Sequence, residues 1–524
     1  YSGIGKSSVV NELHKALVPQ RGFFAAGKFD QFKRDIPYAT LVQALEGLIR
    51  QILSKNEAEV AGWREALQQA VSPNGQLIAG LIPQVELIIG KQPPVPELPP
   101  QEARQRFQLV LLRLLGVFAR QEHPLALFLD DLQWLDAATL ELLNRLLIEG
   151  ELRHLLLIGA YRDNEVDATH PLARAIESMR KAGVKVGEIV LAPLTPEDVQ
   201  TLIADSLSCT PERVLPLAEL IHGKTGGNPF FTIEFFSALA DEGLLVFDLN
   251  TRAWTWDTRR IRAKEFTDNV VDLMVAKLSR LPEETRETLK QFACLGNVVD
   301  TATLVLVHDQ PEKDIDATLL EAVRAGLIFP VNHGYTFLHD RVQEAAYSLI
   351  PEAAQAEAHL HIARQLLAGT PADTLEGEVF EIVNQFNRAV ALIVSPHERV
   401  QVAGLNLMAG IRAQKSIAYT SALNYLKAGC SLLEDDCWER HYRLTYALEF
   451  NRARCEFLTG DLSAATDCLS KLSLCVDNLV DLAAVSCLRI AIYTAMRRNE
   501  RAIEVCCEFL RKTGVQWSPH PTKP

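Results

Sequence analysis

The chain has 524 residues, 48% of them hydrophobic and 23% charged, with a formal net charge of −13. That length exceeds what one hydrophobic core fills, so several globular domains are expected. The acidic balance excludes a general nucleic-acid or anionic-membrane surface, though not a local basic patch, and no apolar run reaches the ~18 residues of a membrane span.

The first letters, YSGIGKSS (Tyr1–Ser8), read as the end of a phosphate-binding loop of the form GxxxxGK[ST]. Gly5-Lys6-Ser7 fills its last three positions, which puts the opening glycine one residue before Tyr1 and the feeding strand before that. Gly3 and Gly5 let successive backbone N–H groups curl around phosphate oxygens. A helix from Lys6 points its positive end at the same anion. Lys6 is expected on the β- and γ-phosphates and the Ser7 hydroxyl on magnesium. The expected nucleotide-binding set is Ser2, Gly3, Ile4, Gly5, Lys6, Ser7 and Ser8; the bland alternative is a chance glycine-lysine-serine.

Strands are expected over Gly22–Lys28, Leu125–Asp130, Leu155–Tyr161 and Gly187–Leu191, alternating with amphipathic helices as in an α/β sheet. KQPPVPELPP (Lys91–Pro100) is a proline-rich excursion. HPLALFLDDLQWLD is an apolar strand ending in two acids. Asp130 is expected to hold magnesium, and Asp131 to orient or deprotonate an attacking water; otherwise the pair is a solvated acidic turn. Arg162, at the tip of LLLIGAYRDNEV, either reads a γ-phosphate with bidentate bonds or pairs with Asp163 or Glu165 on the surface. These residues form a core over 1–194.

In LTPEDVQTLI, Thr195 caps a helix, Pro196 fits its first turn, and Glu197 and Asp198 suit its positive end. A small helical lid is expected over 195–265. Residues 266–350 carry helices and AGLIFPVNHGYTFLH, a hairpin around Asn332-His333-Gly334, which together suggest a winged helix. From 351 to 524 the pattern is helical and repeats. SALNYLKAGCSLL, LSAATDCLSKLSL and ERAIEVCCEFLRK align on Ala422, Ala464 and Ala502, as stacked helical hairpins nearest to the tetratricopeptide type. The solenoid stops at Trp517–Pro524 without a capping helix. Ten cysteines show no CxxC pair and no zinc spacing, so a reducing, cytoplasmic setting is expected.

The set YSGIGKSS, GKFDQFKRDIPY, FLDDLQWLD, GAYRDNEV, TGGNPFF and FLHDRVQEAAY resembles the signal-transduction ATPases with numerous domains (STAND). The likeness is nearest to the large bacterial members fused to protein-kinase and sensor histidine-kinase modules, and it runs through essentially the whole chain. It implies a P-loop core, helical lid, winged helix and superhelical sensor. It also implies that Arg162 is the first sensor arginine and that Pro229, in TGGNPFF, packs near adenine; the plain reading of GGNP is a helix stop and turn. Leu338-His339-Asp340 resembles the hydrophobic-His-Asp motif of related switches, in which the histidine touches the β-phosphate of ADP. The alternatives are a helix cap with Asp340 or an ordinary surface histidine.

The function expected is a slow, magnesium-dependent ATPase switch, closed with ADP and open with ATP. Its helical repeats would sense a protein partner or inducer, and nucleotide-dependent self-association is compatible with it. Kinase motifs are absent, so any kinase activity would belong to fused modules. The rival is a scaffold in which the nucleotide is structural and the winged helix docks protein or DNA. Residues Asp314–Ala325 carry several acids, a poor match to DNA phosphate.

Overall fold

The computed structural model describes residues 2–13, 15, 22–96, 98–149, 152–263, 270–308, 311–331, 333–434, 436–515 and 517. Tyr1, Asn332 and 518–524, which figured in the expectations above, lie outside the described residues. The chain gathers into two compact units: Tyr1–Phe32, Arg120–Trp134 and His154–Ala358 in one, Lys33–Ala119, Leu135–Arg153 and His359–Pro524 in the other.

The first unit is built on a parallel sheet of three strands, β1 (Phe23–Lys28), β2 (Leu125–Asp130) and β3 (Leu155–Gly159), in the order β1-β2-β3. Every residue of β2 is buried, as its unbroken apolar run requires of a strand covered on both faces. The register sets Lys28 against Asp130 and Leu129 against Gly159, so the three strands end level. Helix α1 (Lys6–Asn11) precedes the sheet. Val10 and Leu13 pack with Phe24, Ala126, Phe128, Ile158 and Ala160.

Gly187–Leu191, expected as a strand, is an irregular segment. Ile189 and Val190 are 86% and 80% exposed, and Leu156 on β3 is 51% exposed. A strand persists only through ladder bonds to a neighbour, and none pairs with this segment among the described residues.

The segment expected as a lid has helices over Pro196–Leu207, Pro211–Thr225 and α2 (Pro229–Asp241). Thr195 and Asp198 form the expected reciprocal cap, with Asp198 N–H donating to Thr195 Oγ1 at 3.2 Å and Thr195 N–H to Asp198 Oδ2 at 2.9 Å. The lid also contains a hairpin, β4 (Leu245–Asp248) with β5 (Ala253–Trp256), in what was expected to be wholly helical. Next come helices over Glu283–Leu295, Thr301–His308 and Glu312–Arg324, then the wing, β7 (Ile328–Val331) and β8 (Gly334–Phe337). A third strand, β6 (Val298–Asp300), pairs with β8. The wing leads into α3 (Asp340–Ser348).

In the second unit, consecutive helices pack in pairs: Pro396–Lys415 with Tyr419–Leu432, Tyr442–Leu458 with Leu462–Cys475, and Leu479–Ala495 with Asn499–Lys512. Asn387 and Asn406 exchange two amide hydrogen bonds, both 3.0 Å, which meets the groups of a fully buried Asn406. The repeat aligns on Ala422, Ala465 and Ala502, the fourth residue of each helix. This shifts the middle member by one from Ala464: Ala465 is the one buried at the helix crossing. No helix among the described residues is long and apolar enough to cross a membrane, and all ten cysteines are free thiols.

Candidate functional site at the strand tips

The loop from Ser2 to Gly5 meets the end of β2. Ser7 Oγ lies 2.5 Å from Asp130 Oδ2, so the expected magnesium hydroxyl and carboxylate converge although 123 residues separate them. Gly5 adopts φ 92°, a left-handed conformation costly for a side chain, and a Cβ there would meet nothing within 4 Å. Ser2 Oγ is buried with no hydrogen-bond partner among the described residues. A hard-cation oxygen pair, an orphaned hydroxyl and an open glycine cradle together fit a magnesium–phosphate group.

Residues at the start of α2 meet the other side of this loop. The Asn228 side-chain amide donates to Ser2 O at 2.8 Å, and Phe230 N–H donates to Gly3 O at 3.2 Å. Asn228 also caps α2 by accepting from Phe231 N–H at 3.1 Å. Pro229 occupies the first turn of that helix. It is therefore held beside the loop by its neighbours on either side.

Asp131 follows β2 with a left-handed backbone, φ 56°. Its carboxylate lies between two cations, Lys28 Nζ at 3.6 Å and Arg162 Nε at 3.4 Å. Arg162 covers the Trp134 ring at 4.7 Å and donates to Glu165 Oε1 at 2.8 Å. The surface-pairing alternative for Arg162 thus holds in part, since Glu165 is a partner, but the residue itself is buried.

Asp340, from the first turn of α3, completes the cluster. Its Oδ2 accepts from Arg162 Nη2 at 2.8 Å and its Oδ1 from Lys28 Nζ. One carboxylate from the winged helix thereby ties the tips of β1 and β3. Burial, then the Asp340 charge, lift the Asp131 carboxyl to about 6 against the pull of Lys28. Burial also pushes Asp340 up, but Lys28 and then His339 outweigh it and hold Asp340 well below the usual carboxylate range.

His339 rather than Asp340 caps α3, its Nδ1 accepting from Arg341 N–H at 3.1 Å. Its ring also stacks on Phe230. Burial lowers it to about 4, leaving a neutral imidazole whose proton sits on Nε2. The loop after β1 is fastened to the same domain, because Asp30 Oδ2 accepts from Asn297 N–H at 2.7 Å. Sequence reasoning missed Lys28, Gln133, Phe230 and the clamping role of Asp340. The only signal for Lys28 was its place at the end of an apolar strand.

Residues 1–158 match the AAA ATPase domain family. Hybrid signal transduction histidine kinase G of Dictyostelium discoideum is 26% identical, over 98% of this chain and 18% of that protein. Histidine protein kinase 1 of Candida albicans is 26% identical, over 25% of this chain and 6% of its own length. The chain spans less than a fifth of each of these relatives. Among solved structures, a STAND protein with a tetratricopeptide repeat sensor from Pyrococcus horikoshii is similar over 98% of this chain and 74% of its own, with 13% identity and a TM-score of 0.40.

Proposed function

We propose that the chain is a nucleotide-operated switch of the STAND type within a larger signalling protein, a reading supported by the match of residues 1–158 to the AAA ATPase domain family. The working parts are a core over 1–194, a lid over 195–265, a winged helix over 266–350 and sensing repeats from 351. The observation that carries this reading is the Asp340 bridge to Lys28 and Arg162.

Ser2 to Ser8 would hold the phosphates of ATP or ADP, with Ser7 and Asp130 as magnesium ligands and Pro229 beside the base. Bound magnesium would neutralise phosphate charge. Asp131 would take the proton from a water whose oxygen bonds to the terminal phosphorus, as the P–O bond to ADP breaks and ADP keeps the electron pair. In the state seen, both carboxylate oxygens of Asp131 face cations that Asp340 also holds. A terminal phosphate, carrying the same charge type, would compete with Asp340 for Lys28 and Arg162. His339 would donate from Nε2 to the β-phosphate of ADP. Winning that competition would loosen the winged helix, so ATP favours an open form and ADP the closed one. Hydrolysis is slow and regulatory on this reading.

The repeats would bias the same balance by binding a protein partner or inducer, and the open form would self-associate. Any kinase activity would lie in fused modules. The DNA-docking alternative draws no support from the helix Glu312–Arg324, whose first turn carries Glu312 and Asp314.

The test compares the chain with its Asp340→Asn variant for bound nucleotide, release of a fluorescent ADP and phosphate release. The variant should release ADP about 10-fold faster, the gain expected from losing about 1.4 kcal/mol of closed-state preference. Unchanged ADP release and unchanged hydrolysis would remove the switch reading. Absence of any nucleotide binding would remove the ATPase reading as well.

A further inference from the structure

We propose that Gln133 is a positioning residue for hydrolysis, the side chain that fixes the Asp131 carboxylate relative to the tip of β3. The inference rests on the role given to Asp131 above and deepens it.

Gln133 lies in a short 3-10 helix, Leu132–Trp134, that begins one residue beyond the end of β2, and its side chain is buried. An amide taken out of water is costly unless both halves find partners. Here the halves serve two different elements. Nε2 donates to Asp131 Oδ1 at 2.8 Å, and Oε1 accepts from Arg162 N–H at 3.2 Å. The partners fix the orientation of the amide, because an ionised carboxylate only accepts and a backbone N–H only donates.

Asp131 needs such a hold. Its backbone is left-handed, a conformation that costs a non-glycine residue about 1 kcal/mol. The same Oδ1 that receives the amide proton also faces Arg162 Nε. Gln133 therefore grips the backbone of Arg162 and the carboxylate of Asp131 together. Their separation cannot change without breaking one of its two bonds. Lys28 and Arg162 are charged groups shared with Asp340, so a competing anion can draw them away. The Gln133 amide is neutral and stays with Asp131 when the cations leave. A methionine would fill the same space without burying an amide, so packing alone does not account for glutamine here.

The experiment measures kcat and KM for magnesium-ATP, and fluorescent ADP affinity, on the full chain carrying Gln133→Met or Gln133→Glu. Gln133→Met keeps the volume and loses both bonds. Gln133→Glu keeps an oxygen for Arg162 N–H but sets a second carboxylate against Asp131. Both should lower kcat about 10-fold or more, a fraction of what a positioned base contributes, while KM and ADP affinity stay within about 3-fold. Wild-type kcat in Gln133→Glu, with a loss confined to Gln133→Met, would reduce the residue to a backbone tether and overturn the proposal. So would wild-type kcat in both. Should Gln133→Met fail to fold, Gln133→Glu decides alone. If the unsubstituted chain binds ATP but releases no phosphate, the hydrolytic role of Asp131 fails first and this inference falls with it.

Discussion

Phe230 and His339 stack face to face, with ring centroids 4.2 Å apart and planes inclined by 19°. The lid and the winged helix thus meet through two flat rings, one of which is fastened to the phosphate loop by its own backbone N–H. An aromatic pair of this kind contributes about 1 kcal/mol beyond its buried area. Phe230→Ala and His339→Ala should each lower stability to denaturant. The double variant should lose about 1 kcal/mol less than the sum, the coupling expected of groups in direct contact. Additive losses would show that the stack contributes nothing of its own.

Gly3 and Gly5 both have positive φ but differ in surroundings. A Cβ on Gly3 would lie 2.8 Å from Phe230 Cβ and 3.0 Å from Asn228 Oδ1, whereas one on Gly5 would meet nothing within 4 Å. Gly3→Ala should therefore displace the lid in addition to straining the loop. Limited proteolysis between the lid and the core is expected to accelerate in Gly3→Ala and to stay near the unsubstituted rate in Gly5→Ala. Equal cleavage of the two would contradict the close approach at Gly3.

His359 is buried against Gln385, 2.6 Å from its Oε1, and burial lowers the imidazole to about 4. The folded state thus binds this proton less readily than the unfolded chain, whose histidines titrate near 6.5. The contribution to stability is complete above about pH 6.5 and is lost as pH falls from there toward 4. In denaturant titrations, the drop in stability between about pH 7 and 4.5 should shrink by on the order of 2 kcal/mol in His359→Gln. An unchanged drop would place the acid sensitivity elsewhere.

Two glycines inside repeat helices should respond in opposite directions to alanine. Gly404 has open space where a Cβ would go, so Gly404→Ala should stabilise by about 0.5–1 kcal/mol through helix propensity. A Cβ on Gly429 would meet Leu448 Cδ2 at 2.7 Å and Asn406 Cβ at 3.1 Å. Overpacking there costs about 1–3 kcal/mol, so Gly429→Ala should lower the melting temperature. A rise in both would mean that the helices separate to accept the methyl group.

Local rules carried much of the fold. The bounds of β2 were legible because an apolar run stops at Asp130, and the cap at Thr195 because its partner is three residues away. The pairing of Ser7 with Asp130 followed from a loop chemistry that needs both. What periodicity could not show was any bond joining distant parts of the chain. Asp340 meets Lys28 across 312 residues and Arg162 across 178, and no spacing announces either pair. Gly187–Leu191 failed for a related reason: its letters favour a strand, but strand formation depends on a neighbour that a local pattern does not supply. The β4–β5 hairpin was hidden because its turn, Leu249–Arg252, lacks glycine and proline.

Asp340 is also the first residue of α3, directly after the His339 cap. A slip of that helix by a single residue turns a side chain through about 100°, enough to swing the carboxylate off both cations at once. On the proposed switch reading, a one-residue slip of this helix would therefore free both strand tips together rather than one at a time.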